Sequence, residues 1–427
     1  MEKITSVRGF KDILPGETEK WHYVEEKARE IFTNFGIQEI KVPILEKTEL
    51  FTRGIGEATD IVEKEMYTFR DRSDDLLTLR PEATASVMRA YLEHSMHASE
   101  PMSKLFTIGP MFRRERPQKG RYRQFHQINV EMVGEHDPRV DAELMLMLVT
   151  FLSEVGLTDL RLEINSLGCP GCRPEFRATV INFLKDKADG LCPDCQRRLE
   201  TNPLRIFDCK VETCQGIIAD APLILDFICD ECSRHFDKVK EYLTGFEIPV
   251  SVNPKMVRGL DYYTQTAFEV ITEALGAQNA VAGGGRYDGL TKQLGGEDFP
   301  GVGFAIGFER LVSMIPKSNE EFVKYPHLFI AALGESAQHF AYTLMNRLRL
   351  AGIRTEMDFS GKSLKSQMRR SNKLHAAFTL IVGDNELHDK KAALRNMATG
   401  IQEVIDITST EGIIQHVQVS GIDKSTI

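Results

Sequence analysis

Tryptophan occurs once in these 427 residues, and cysteine is missing everywhere except residues 169–232, where all eight copies lie. No apolar run approaches the length that spans a bilayer, and the N-terminal "MEKITSVRGFKD" lacks the apolar core of a signal peptide. The expectation is a cytoplasmic protein with no membrane partner. A basic excess is missing too: 53 Lys+Arg against 62 Asp+Glu leave a net charge of −9, which argues against indiscriminate coating of nucleic acid. Low-complexity segments and solenoid-period repeats are absent. What remains is the composition of an ordinary globular chain, 42% hydrophobic and 27% charged. Its length suits roughly two to three domains.

The patterning is mixed. "ETEKWHYVEEKAREIFTNFG" sets Trp21, Val24, Ala28, Ile31, Phe32 and Phe35 at helical spacing and ends on Gly36. "EIKVPILE" alternates Ile40, Val42 and Ile44 as a strand, which Pro43 restricts to an edge or interface. A helix is predicted over about residues 83–94. "KLFTIGPMFRRE" and "QFHQINVEMVGE" read as the arms of a long antiparallel hairpin, and "DAELMLMLVTFLSEVG" as a helix capped by Asp141 and stopped by Gly156. Residues 168 to about 240 hold all the cysteines among short helical pieces and read as an insertion. From His327 a β-α-β-α alternation ("HLFIAAL", "IRTEMD", "FTLIVG") argues a separate α/β domain, after the linker "PKSNEEFVKYP".

Four stretches carry chemistry. "FRRERPQKGRYR" places Arg113, Arg114, Arg116, Lys119, Arg121 and Arg123 around Glu115, in an otherwise acidic chain. It reads equally as a solvated basic hairpin tip, as an anion clamp of arginine forks, or as a backbone-tracking loop with aromatics for stacking. "RGLDYYTQTAFEV" pairs two tyrosines with an arginine and an aspartate. "AGGGRYDGL" lets backbone approach a ligand closely, but it has neither the spacing nor the lysine of a P-loop, which excludes a P-loop kinase or ATPase. "GVGFAIGFERL" is a glycine-punctuated strand running into a helix; taken alone, its Glu309 and Arg310 read as a surface ion pair.

In order, the proline-bearing strand, the "FRRE…RYRQF" hairpin and the "GFER" strand–helix resemble motifs 1, 2 and 3 of the class II aminoacyl-tRNA synthetases. "RGLDYY" and "AGGGRYDGL", between the second and third, are similar to the two histidine-specific segments of the histidyl-tRNA synthetase family, bacterial type. The resemblance covers nearly the whole chain. It implies an α+β fold: an antiparallel catalytic sheet flanked by helices over residues 1–325, with the helical insertion at about 168–240. An anticodon-binding α/β domain with a mixed, mostly parallel sheet would occupy 326–427. It also implies a homodimer with Pro43 at or near the interface.

The implied reaction forms histidyl-adenylate from L-histidine and ATP, with Mg2+, and then transfers the histidyl group to tRNA(His). The first step brings a carboxylate to a phosphate, so it asks for positive charge and positioning. By the same resemblance, Arg113, Arg258 and Arg310 are catalytic. Histidine would be bound by Glu82, Thr84, Arg113, Gln127, Glu131, Arg258, Tyr262 and Tyr263. ATP would meet Arg113, Glu115, Arg121, Arg123, Phe125 and Arg310. The tRNA would meet Arg116, Gln118 and Lys119, and also Arg369 and Arg370 on the basic helix "KSLKSQMRRSNK".

The cysteines form four close pairs, Cys169/Cys172, Cys192/Cys195, Cys209/Cys214 and Cys229/Cys232. In a cytosolic chain such pairs suit zinc held by four thiolates, a structural metal here; free thiols in a small helical domain are the other reading. Three rivals to the synthetase reading fit less well. A silent paralogue such as the regulatory subunit of ATP phosphoribosyltransferase usually lacks the last domain and loses key arginines. A tRNA sensor without enzymatic activity would need no complete histidine pocket. A different class II synthetase would not carry "RGLDYY".

Overall fold

The computed structural model describes residues 3–56, 59–117, 120–272 and 280–419. The chain divides into two compact units, Met1–Phe322 and Val323–Ile427.

In the first unit, β1 (Gln38–Glu39) leads to a small antiparallel sheet of β2 (Leu45–Lys47), β3 (Tyr67–Arg70) and β4 (Leu76–Leu79). The hairpin β5 (Ser103–Phe112) and β6 (Gln124–Val133) follows, then β7 (Leu160–Ser166), β8 (Val250–Val252), β9 (Thr264–Thr272), β10 (Ala280–Arg286) and β11 (Gly301–Gly307). They form an eight-stranded sheet in the order β1-β5-β6-β11-β10-β9-β7-β8. Its two outermost pairings, β1 with β5 and β7 with β8, are parallel, and the rest are antiparallel.

The period of two along each strand gives the sheet two unlike faces. Ile128, Val130 and Met132, with Val302, Phe304 and Ile306 beside them and Phe268 and Val270 beyond, turn to the helices Thr18–Asn34 and Pro138–Glu154. There they meet Val24, Ala28, Phe32, Leu144, Leu148 and Phe151, all fully buried. Each of the larger side chains contributes about 1.5–3 kcal/mol by leaving water. On the opposite face Gln127, Asn129 and Glu131 stand opposite Gly307, Ala305 and Gly303. Ala305 and Gly303 in turn neighbour Gly283 and Gly285. A row of polar side chains therefore faces a floor of glycine and alanine.

Two local expectations are corrected. "EIKVPILE" is not one strand: β1 ends at Glu39, and β2, which begins at Leu45, belongs to the small sheet. Pro43 lies in the break, where its missing N–H costs no ladder bond. Asp141 does not cap its helix. Asp137 does, accepting from the Arg139 N–H at 2.8 Å with Pro138 in the first turn. Asp141 is fully buried and paired with the equally buried Arg286 at 2.7 Å. Removing one partner of such a pair strands a charge, at a cost of about 3–5 kcal/mol.

The cysteine-bearing segment has its own small core around Phe176, Val180, Leu184, Ile206 and Ile218. Its last helix, Asp230–Gly245, instead buries Phe236, Val239 and Leu243 in the main core.

The second unit holds β12 (Leu328–Ala332), β13 (Thr355–Met357), β14 (Phe378–Val382), β15 (Lys391–Asn396) and β16 (Gln402–Asp406), ordered β13-β12-β14-β15-β16. The first three are parallel and the last two antiparallel. Helix Glu335–Leu350 covers the sheet through Ala337, Ala341, Leu344 and Leu348. Among the described residues, no helix is long and apolar enough to cross a membrane.

Candidate active site

The polar face of the large sheet is the floor of a cavity of about 220 Å³. Glu82, Thr84, Arg113, Gln127, Glu131, Arg258, Tyr262 and Tyr263, drawn from separate parts of the chain, all line it. Glu82 stands just before helix Thr84–Glu93, and its two oxygens accept from the N–H groups of Thr84 (2.7 Å) and Ala85 (2.9 Å). This satisfies donors that a helix start leaves unpaired. Burial nevertheless pushes the Glu82 carboxyl up from its ordinary value, against those bonds. Thr84 Oγ1 then donates to Glu131 Oε1 at 2.7 Å.

Glu131 is the centre of the cavity's chemistry. Its other oxygen accepts from the Tyr287 hydroxyl at 2.6 Å. Burial moves its pKa to about 8, although both hydroxyls favour the carboxylate. Tyr287 was not among the expected site residues. "RYDGL" carried it in plain sight, but nothing local signals that it reaches a glutamate 156 positions away.

The glycines have specific reasons. A Cβ on Gly303 would stand 1.9 Å from Glu131 Oε2, and one on Gly283 would stand 2.5 Å from the Arg258 guanidinium. The Glu131 and Arg258 side chains lie across these glycines. Arg258 crosses Gly283 to pair with Glu269, while its guanidinium lies 5.4 Å from the Tyr263 ring centre. Gln127 Oε1, Asn129 Oδ1 and Arg258 Nε are buried without a protein partner among the described residues. Buried polar atoms are normally paired, so these three ask for a polar ligand.

The basic cluster adjoins this cavity. Arg113 follows β5, donates through Nε to the Pro81 carbonyl at 2.9 Å, and lies 5.2 Å from the Phe125 ring centre. Glu115 draws Arg121 to 3.0 Å and Arg113 to 3.9 Å. Arg123 donates to the Glu115 carbonyl at 3.4 Å, and its backbone N–H bonds the Gly9 carbonyl at 2.8 Å. Arg310 donates to the Ala280 carbonyl. Burial and then the charge of Arg121 press its pKa down, with Glu115 opposing. The expected surface ion pair of Glu309 with Arg310 is not what forms. Glu309 accepts from the His126 backbone N–H at 2.9 Å and meets its ring at 3.0 Å, tying the helix after β11 to β6. Arg116 is exposed, and Gln118 and Lys119 lie outside the described residues.

The family model described as histidyl-tRNA synthetase matches residues 9–171 and 218–311. The chain belongs to the histidyl-tRNA synthetase family. The model for the anticodon binding domain matches residues 327–416 of this family member. The chain is similar to a histidine–tRNA ligase of Geobacter sulfurreducens, 54% identical over 96% of this chain and 98% of that one. A second such ligase, from Desulfatibacillum aliphaticivorans, is 54% identical over 94% and 96%. Among solved structures, apo histidyl-tRNA synthetase of Staphylococcus aureus is similar with a TM-score of 0.81 and 36% identity, covering 97% of this chain and all of that one. The gap in the first match, residues 172–217, holds Phe176, Val180, Leu184 and Ile206 of the cysteine-bearing segment's small core.

In the second unit, Arg369 and Arg370 are exposed on helix Leu364–Lys373, with Lys365 and Lys373 also exposed. Gln367 and Ser371 form its buried side: Gln367 bonds both backbone groups of Ala332, and Ser371 meets Thr379 at 2.6 Å. The helix itself has no acid, yet Asp358 from the preceding loop reaches Arg370 at 3.3 Å.

Proposed function

We infer that this chain is a class II histidine–tRNA ligase. L-histidine and ATP give histidyl-adenylate and diphosphate, and the histidyl group then passes to the terminal ribose of tRNA(His) with release of AMP. The observation that carries the reading is the cavity itself, in which orphaned acceptors and a poised glutamate lie next to a group of arginines.

The cavity is sized for one small polar molecule. An imidazole offers one donor and one acceptor, and its α-amine is a cation. The free Gln127 Oε1 suits the α-ammonium, with Glu82 and Thr84 close by. Glu131 and the hydroxyls of Tyr262, Tyr263 and Tyr287 suit the ring. A pocket built on hydrogen bonds rejects analogues lacking them by ~10⁴ or more, so no editing site is required.

Adenylation brings together two anions. Arg113 and Arg258 hold the histidine carboxylate against the α-phosphate, and Arg310, Arg121 and Arg123 take the distal phosphates with Mg2+. Phe125 stacks on adenine beside Glu115. Stabilising charge that builds at the α-phosphate is worth several kcal/mol when the donors are held in place beforehand, as the Pro81, Glu269 and Ala280 contacts hold these. The hairpin loop at residues 116–119 meets the acceptor end of tRNA(His), and Arg369 and Arg370 meet the anticodon stem. The enzyme works in the cytoplasm as a homodimer.

The test is ATP–pyrophosphate exchange with each of the twenty amino acids in turn. Exchange is expected with histidine alone, and exchange with another amino acid, or with none, rejects the assignment.

A further inference from the structure

The eight cysteines sort in space into two quartets that cut across chain order. Cys169 and Cys172 meet Cys229 and Cys232, while Cys192 and Cys195 meet Cys209 and Cys214, so one quartet is nested within the other. Within each, the four Sγ atoms lie within 4.8 Å of one another. The Cys169–Cys172, Cys192–Cys209 and Cys172–Cys232 sulfurs stand 3.5, 3.8 and 3.9 Å apart. A disulfide needs about 2.05 Å. A tetrahedral zinc with sulfurs at about 2.3 Å spaces those sulfurs about 3.8 Å from one another, and that is the spacing found. A four-iron cluster would place its own cubane between the sulfurs and spread them farther than a single ion does. Backbone N–H groups of Cys229 and Cys192 donate to the Cys172 and Cys214 sulfurs at 3.2 Å, and Val211 donates to Cys209 at 3.5 Å. Sulfurs that accept such bonds are already oriented as ligands.

Both quartets lead straight to the 258–263 loop that supplies Arg258, Tyr262 and Tyr263. Cys172 stands at the N-terminus of helix Arg173–Lys185. The next residue, Arg173, donates to the carbonyls of Tyr263 and Leu167, the latter at 3.3 Å. Cys195 lies on helix Pro193–Thr201, and Asn202 directly after it donates to Asp261 at 2.8 Å. The insertion's own apolar core is small, and small cores commonly gain stability from such staples.

We propose that each quartet holds one Zn2+ and that the two ions fix the insertion as a brace behind the 258–263 loop. The metals take no part in the chemistry; they keep Arg173 on the Tyr263 carbonyl and Asn202 on the Asp261 side chain.

The full chain, purified without added zinc, is expected to carry two Zn2+ by metal analysis and native mass spectrometry, and to be colourless. Iron in place of zinc, disulfide-linked sulfurs, or a metal-free chain with eight titratable thiols would each overturn the sites. Cys209→Ser and Cys229→Ser should each lower the content to one; if either variant fails to fold, the wild-type count still decides. The brace is tested by hydrogen exchange at residues 258–263 before and after chelation. Faster exchange in the chelated chain is expected, and unchanged exchange rejects the brace. In ATP–pyrophosphate exchange the chelated enzyme, assayed with Mg2+ restored, should show a histidine KM raised roughly tenfold. An unchanged histidine KM counts against the brace. Only this last measurement rests on the histidine assignment, so its failure is separable from that of the metal sites.

Discussion

In the β5–β6 hairpin three arginines are held, while Arg114 and Arg116 stand exposed. Arg113 is fixed by the Pro81 carbonyl, Arg121 by Glu115, and Arg123 by the Glu115 carbonyl. On helix Leu364–Lys373 the cations stand in solvent, and Asp358 reaches Arg370 alone at 3.3 Å. The two segments look alike as runs of letters. Their difference lies in whether guanidinium geometry is set before a ligand arrives. A held fork stabilises one arrangement of charge strongly, whereas a solvated one attracts polyanions weakly and over a range limited by salt.

If that distinction is right, the hairpin should not tolerate lysine. Arg113→Lys keeps the charge but loses the Nε bond and the fork. ATP–pyrophosphate exchange should fall on the order of 10²–10³-fold. Exchange within about threefold of wild type would mean that charge alone suffices there.

The pocket gives a second, smaller test. Glu131 has its folded pKa raised to about 8, so the folded chain keeps a proton that the unfolded chain gives up near the ordinary carboxyl value. Stability of the ligand-free wild type should therefore fall as pH rises from about 5 to about 8, relative to Glu131→Gln, which cannot ionise. Thermal melts of the two across that range should diverge, and parallel curves would remove the case for a buried, proton-holding Glu131. The same variant should raise the histidine KM roughly 10- to 100-fold.

The smallest effect belongs to the helix. Double reversal, Arg369→Glu with Arg370→Glu, should raise the tRNA KM about tenfold and leave exchange unchanged, while lysine at both positions should be nearly neutral. Loss of exchange would show that the helix matters for more than tRNA contact.

Much of the architecture was legible because period and punctuation are local. The hairpin arms, the helix Thr18–Asn34 and the β-α alternation after His327 all follow from short-range spacing. The cysteine-bearing segment stood out as well, because its thiols are confined to one stretch. The pocket was legible only by resemblance. Nothing in "RPEAT" or "QFHQINVE" says that Thr84 and Glu131 meet at 2.7 Å. The misreadings share one cause. Asp141 looked like a cap and Glu309 like a surface charge because their partners, Arg286 and His126, are 145 and 183 residues distant.

The sequence by itself determined the alternation of β6 and β11, and with it one apolar and one polar face, since side chains of a strand must alternate. It also determined where positive charge and thiols are concentrated. Tertiary structure alone decided which glycines lie under Arg258 and Glu131, that Tyr287 joins the pocket, and which cysteines share a quartet. Those outcomes depend on register between strands and on chain crossings, where a shift of one residue would turn every side chain to the other face.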